Sequence, residues 1–160
     1  MHSAPRPDRI HYPHPDSSVV VVLPRVGDRI LLQLRDDIEG IVFPGYWGFF
    51  GGAIDEGENP TQAAIRETAE ELNMKPDDLF FVGFEAVQEL NGLHAHAFSF
   101  LLDRAVDDIE LGEGMDKALL GLDDLATGWA YSKAKGRDYP VIPVEFLERC
   151  MRRTLKSWGE

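Results

Sequence analysis

The chain has 160 residues, 28 of them acidic and 16 basic, for a formal net charge of −12. Apolar content of 44% and charged content of 28% are those of one globular domain of ordinary length and exclude a disordered chain. So acidic a balance also excludes docking on nucleic acid or an anionic membrane, both of which need clustered Lys and Arg; a small phosphorylated substrate stays admissible if a metal cation bridges the negative charges.

Cys150 is the single cysteine, so no internal disulfide or thiolate metal cluster is expected, and a reducing cytoplasm is the expected compartment. In chain order, residues 1–17 are rich in Pro, His and Asp and read as a poorly ordered lead-in, with Pro5, Pro7, Pro13 and Pro15 but no apolar targeting stretch. No apolar run approaches the ~20 residues of a membrane helix. Residues 18–160 read as a single domain. Val19–Leu23 and Arg29–Arg35 are strand-like runs joined through Gly27, a hairpin pattern. Asp36–Gly51 reads as a loop in which glycines alternate with Phe43, Tyr46, Trp47, Phe49 and Phe50.

A helix is expected from Asn59-Pro60, with Asn as N-cap, Pro in the first position and Gln62 completing a capping box; it should end near Asn73. Phe80–Leu90 and Leu93–Leu102 flank Asn91-Gly92, the strongest short hairpin signal. Asp103–Asp124 is an acidic stretch. Val144–Lys156 repeats apolar residues at Val144, Leu147, Met151 and Leu155, an amphipathic helix whose basic residues are expected to form a solvated face. Strands around two helices without regular βαβ alternation predict an α/β (α+β) layer fold with a mixed β-sheet.

The expected helix concentrates carboxylates. At 100° per residue, Glu71 and Glu70 lie about 40° and 60° to either side of Glu67, so three acids share a face while Ile65, Ala69 and Leu72 point toward the sheet. Arg66 reaches Glu70 at i, i+4. Like charges so placed destabilise a helix by roughly 0.2–0.5 kcal/mol per pair, a cost that Mg²⁺ would remove by taking carboxylate oxygens while keeping waters for phosphates.

Gly52, Glu58, Arg66, Glu67, Glu70, Glu71 and Met74 together resemble the Nudix box: Gly, five residues, Glu, seven residues, Arg-Glu, two residues, Glu-Glu, two residues and an apolar residue. A chance match anywhere in the chain is on the order of 10⁻⁵ at average residue usage. Thr68 stands where the family has an aliphatic residue, and Asn73 stands where it has Gly. Phe50, in the aromatic loop, stands where many members have Pro.

The resemblance implies an α/β/α sandwich and a Mg²⁺-dependent hydrolase, with Mn²⁺ as a substitute, in which water attacks phosphorus in a nucleoside diphosphate linked to another group. It implies metal ligation by Glu67, Glu70, Glu71 and the Gly51 carbonyl. The Leu111–Gly114 segment is similar to one that adds a further ligand, Glu113, with Glu110 as its rival. Glu67 and Glu113 are both candidates for the general base. Glu58 and Arg66 would orient the helix and loop behind Gly52. Arg35 stands where members contact phosphate, and Tyr46 and Phe49 could stack on a base.

The implied partner is a small-molecule nucleotide: a nucleoside triphosphate, oxidised nucleotide or nucleotide sugar. The signatures of ADP-ribose-, NADH- and coenzyme-A-cleaving members are missing. A homodimer is left open. Two rival readings are a nucleotide-sensing domain without turnover, against which the full carboxylate set counts, and a Nudix-fold isomerase, against which the remote position of Cys150 counts. His94 and His96, at i, i+2, read as ordinary strand positions.

Overall fold

The Val19–Leu23 run becomes the centre of β1 (Ser18–Val26), the strand around which the sheet is assembled. The computed structural model describes residues 17–157; the lead-in expected over residues 1–17 lies outside the described residues apart from Ser17. β1 is buried on both faces over Val20–Leu23, as a strand with neighbours on both sides and layers above and below requires.

Its partners explain the topology. β6 (Leu93–Leu101) runs parallel to β1, with Ser18 opposite His94 and Arg25 opposite Leu101. On the other side β4 (Phe50–Ala53) pairs antiparallel with Val19–Val22, while β2 (Arg29–Leu34) pairs with Arg25 and Val26 across the Gly27-Asp28 turn. Gly27 has a φ of 60°, the conformation that glycine adopts without a Cβ penalty. β2 also carries β3 (Trp47–Gly48) and β7 (Asp116–Leu120), and β5 (Phe80–Val87) lies outside β6. β8 (Trp129–Ser132) and β9 (Arg137–Pro140) form a separate two-stranded unit.

Two apolar layers enclose this mixed sheet. Val20, Val22, Leu31, Phe50 and Phe98 pack with Ala63, Ala64 and Leu72 of α1 (Pro60–Leu72). On the opposite face Val21, Leu23, Leu32, Trp47 and Ala97 pack with Phe146, Leu147, Cys150 and Met151 of α3 (Glu145–Ser157). The result is the expected α/β/α sandwich. Among the described residues no helix is long and apolar enough to cross a membrane.

Several local expectations need correction. The Asn91-Gly92 pair does not form a two-residue turn. Val87 is opposite Leu93, so the connection is Gln88–Gly92, a short 3₁₀ turn (Gln88–Leu90) closed by Asn91 at φ 60° and Gly92 at φ 75°. The segments 36–51 and 103–124 hold more order than a loop and an acidic stretch: β3 and the start of β4 in the first, β7 and the start of α2 (Leu122–Thr127) in the second. These pieces are too short to show a period; pairing with β2 creates β3 and β7, and pairing with β1 creates β4.

The C-terminal helix buries Phe146, Leu147, Cys150, Met151 and Thr154, a face rotated from the expected Val144–Leu155 stripe. Its bases are not merely solvated. Arg149 donates to both Glu85 oxygens and to Glu89, and Arg153 Nη2 lies 3.0 Å from Glu85 Oε1. Sheet edge and helix are thereby joined through one carboxylate whose side chain is only 18% exposed.

Charge-assisted hydrogen bonds of this kind contribute about 1.5–3 kcal/mol each, and their loss is not additive within one network. Glu85→Ala is therefore expected to lower the unfolding free energy by about 1–3 kcal/mol in urea titrations. A loss under about 0.5 kcal/mol would reduce the network to a surface ion pair.

Candidate active site

The site begins with the start of α1. Asn59 Oδ1 accepts from the Gln62 amide at 2.8 Å, and Gln62 Oε1 accepts from the Asn59 amide at 2.9 Å, the expected reciprocal capping box. At the other end Asn73 takes the left-handed conformation (φ 53°, ψ 39°) and its amide bonds Ala69 O, so Asn replaces Gly at the second-best residue for that backbone. Thr68, the other departure from the box, is fully buried and donates its hydroxyl to Ala64 O at 2.7 Å.

The three helix carboxylates do not share one solvated face. Glu70 is exposed, Glu67 is mostly covered, and Glu71 is buried at 2% exposure. The buried face is Ala63, Ala64, Thr68, Glu71 and Leu72, whereas Ile65 and Ala69, expected against the sheet, face solvent. Hydrophobicity alone would have turned the helix the other way; the Gly51 amide, which donates to Glu71 Oε2 at 2.7 Å, holds the acid inside.

Gly51 can do so only because it lacks a side chain. Its φ is 134°, and a Cβ would fall 2.1 Å from Val20 O. A Cβ on Gly52 would fall 2.5 Å from Glu67 Oε1, so Gly51 lets β4 press on β1 and Gly52 lets the Glu67 carboxylate approach β4.

Arg66 ties the preceding loop to the helix. Its Nε and Nη2 grip the two oxygens of Glu58 at 2.7 and 2.9 Å, Nη2 also donates to Ala53 O at 3.0 Å, and Nη1 donates to Glu67 Oε1 at 2.9 Å. The expected contact with Glu70 is present at 3.3 Å. Glu58 Oε1 further accepts the Asp55 amide. These bonds hold Glu58 below the usual carboxylate range. Burial instead raises Glu67, against the pull of Arg66.

A second loop closes over the helix C-terminus. The Gly112 amide donates to Glu71 O at 2.7 Å and Asn73 Nδ2 donates to Glu110 O at 2.8 Å. A Cβ on Gly112 would lie 1.9 Å from Glu70 O, so only glycine permits the approach. Glu110 is thus engaged through its backbone, while Glu113 comes close enough to act on Glu71. Burial first and Glu113 second push Glu71 up to about 9, and its Oε1 is buried without a hydrogen-bond partner.

Arg35 follows β2 and donates Nε to Val42 O at 2.6 Å. Burial lowers its pKa while Glu71, Glu113 and Asp36 raise it again; an arginine in that position stays charged. Arg35, Phe49, Gly51 and Gly52 line one cavity of about 230 Å³.

Tyr46 is not brought to that cavity. It is 4% exposed, packs edge-on to Phe43 and lines a different cleft with Leu125 and Trp129. Trp47 is core, with Nε1 bonded to Ala130 O. His94 and His96 lie against Phe84, with ring centroids 5.8 and 4.8 Å away. Sequence reasoning missed Phe146 of α3 as a lining residue; no motif links it to the box 70 residues earlier.

Among the described residues no three His, Cys, Asp or Glu side chains converge as a ready metal cage, and Arg66 bonds both Glu67 and Glu70. The donor set is nonetheless chemically suited to a hard cation: carboxylate oxygens, one of them buried and without a partner beside a second carboxylate. Arg66→Lys keeps the charge but cannot grip Glu58 and Ala53 together. It is expected to raise hydrogen exchange at the Asp55 and Glu58 amides at least about tenfold while leaving exchange in β6 unchanged, because local opening free energies are independent of the global one.

Curated relatives align with part of the chain. A nucleoside triphosphate pyrophosphatase/Nudix hydrolase fusion protein of Bifidobacterium longum is 31% identical over 103 residues, 56% of this chain and 21% of that protein. A dihydroneopterin triphosphate diphosphatase of Escherichia coli is 39% identical over 64 residues, 39% of each. The matched segments therefore span well under half the length of these relatives.

The fold aligns with the NUDIX domain of Shewanella oneidensis NrtR, solved with ADP-ribose, at TM-score 0.64 and 16% identity, covering 96% of this chain and 94% of that one. It also aligns with a MutT protein of Methanosarcina mazei at TM-score 0.64 and 19% identity, covering 88% and 96%. The pattern that defines the NUDIX domain matches residues 14–143, and the chain belongs to that family.

Proposed function

We propose that this chain is a divalent-metal-dependent pyrophosphohydrolase that cleaves a nucleoside diphosphate linked to another group, by attack of water on phosphorus. The observation that carries the reading is the buried Glu71 oxygen without a partner, next to Glu113 and within the electrostatic reach of Arg35. A carboxyl buried in that state costs about 1–3 kcal/mol in unmet hydrogen bonding, and a cation would remove the cost. Relatives named for triphosphate pyrophosphatase and diphosphatase activity support the same reaction class.

In this reading Glu67, Glu70, Glu71 and Glu113, with the Gly51 carbonyl, hold Mg²⁺, or Mn²⁺ in its place. The ion supplies phosphate charge neutralisation and an acidified water when bound. Arg35 binds a phosphate oxygen. Glu58 and Arg66 fix the Gly52 loop against the helix so that the carboxylates keep their spacing. Glu67, already raised by burial, and Glu113 are the groups suited to take the proton of the attacking water. The substrate is a small nucleotide.

Cys150, which an isomerase would need as an acid or nucleophile, is fully buried on the far face of the sheet, and burial pushes its thiol up to about 12. That counts against the isomerase reading.

Glu70→Gln and Glu71→Gln are each expected to keep the fold and to lower phosphate or pyrophosphate release by about 10²-fold or more, at or above the top of the roughly 10–100-fold that loss of a group merely supporting a metal ligand costs. Millimolar Mg²⁺ should raise the Tm of the unaltered protein, since a ligand at 100 times its Kd stabilises by about 2.7 kcal/mol, and Glu71→Gln should reduce that rise. Turnover of a nucleotide panel undiminished by either substitution, at saturating Mg²⁺, would refute the ligand assignment.

A further inference from the structure

The 230 Å³ cavity that adjoins the Gly51-Gly52 pair has walls from five remote segments, and their chemistry is uniform. Phe49, Leu90, Leu93, Ile142 and Phe146 are apolar, β1 contributes Val19 and Val21, and among the described lining residues Arg35 is the one charged side chain. Phe49 and Phe146 stand with ring centroids 5.5 Å apart at 57°.

The volume lies below the roughly 300–1,000 Å³ of pockets that hold a whole drug-sized ligand. One flat ring system fits, and the charged remainder of the ligand stays outside, where Arg35 and the carboxylates are. The polar backbone around the cavity is largely engaged already. Phe49 O accepts from Gln33 Nε2, Val42 O from Arg35 Nε and Trp47 O from the Ile142 amide, while the Gly51 amide donates to Glu71. Val19 and Val21 belong to a strand paired on both sides.

We infer that this cavity takes the heteroaromatic base of the substrate by stacking and shape alone, and that the protein therefore reads phosphates but not base edges. The inference rests on the pyrophosphohydrolase reading for the identity of the ligand. Magnitudes make it sharp. A site that hydrogen-bonds a ligand's polar edge rejects the analogue lacking it by about 10⁴–10⁵, whereas an apolar pocket discriminates by only about 10–200-fold even when a methylene must be squeezed out or left missing. Bases that all fit the slot should be separated by less still.

The test uses ligands that bind whether or not the protein hydrolyses them. Dissociation constants of adenosine, guanosine, cytidine and uridine monophosphates, measured by calorimetry with Mg²⁺, are expected to agree within about tenfold. A fifth nucleotide in which an indole replaces the base, flat but without hydrogen-bonding edges, is expected within the same range. Phe49→Leu keeps the apolar wall but removes a ring face, and should weaken all five in parallel by about fivefold or more, the scale of one base–aromatic stack. A spread beyond tenfold, selective loss of the indole nucleotide, unequal effects of Phe49→Leu, or no binding at millimolar concentration would each overturn the inference. Uniform binding without hydrolysis of any nucleoside triphosphate, oxidised nucleotide or nucleotide sugar in a panel would overturn the pyrophosphohydrolase reading and leave this one standing.

Discussion

The bond from the Gly51 amide to Glu71 Oε2 is the constraint on which the site depends. It brings a carboxylate into the layer between α1 and the sheet, where an apolar residue would ordinarily sit. The arrangement requires β4 to press on β1 so closely that a Cβ at Gly51 would overlap Val20 O. It also requires the far end of α1 to be held, which Asn73 does by bonding Ala69 O and Glu110 O, and Gly112 by bonding Glu71 O. Removal of any of these contacts frees the acid to swing outward, where desolvation no longer sets its behaviour.

The two faces of the sheet are secured by different means, and the difference serves the site. On the α1 side the polar contacts belong to Arg66 and the box carboxylates, an arrangement with a buried atom left unmatched. On the α3 side Glu85 is fully engaged by Arg149 and Arg153, and the apolar cluster around Trp47 and Met151 is larger. A site that carries an uncompensated buried carboxyl needs stability from elsewhere in the fold. Here it comes from the α3 face, whose Phe146 also lines the cavity beside Phe49.

What the sequence made legible was local. Asn59, Pro60, Gln62 and Asn73 set the limits of α1 because capping is a contest among neighbouring residues, and those residues act as they do in any helix. The seven box residues were readable for the same reason, as spacing along one helix and its entry loop. Exposure was not readable: the helical wheel grouped Glu67, Glu70 and Glu71, whereas burial separates them, since the sheet and the Gly51 amide decide which side faces in. β7 escaped because its partner β2 is distant in sequence, and α2, β8 and β9 because each is six residues or fewer, too short to show a period. Phe146 escaped as a cavity residue because nothing within its own helix distinguishes it from Leu147 or Met151.

The charge of −12 acquires a location from these contacts. Residues 52–74 hold six acids and one base, and residues 103–124 hold eight acids and two bases. These two segments meet at the end of α1, where the Gly112 amide bonds Glu71 O and Glu113 faces the Glu71 carboxyl. Like charges gathered by folding repel at short range, and in a partly desolvated setting that repulsion is screened only weakly. The fold tolerates it with one guanidinium, Arg66, shared among Glu58, Glu67 and Glu70, and a second, Arg35, facing Glu71 and Glu113. Two cations against that many carboxylates leave the cluster under-neutralised. The same excess that bars a polyanion from the surface therefore gives a small divalent cation its strongest point of attraction, and a phosphate can approach only where Arg35 and such a cation offset the field.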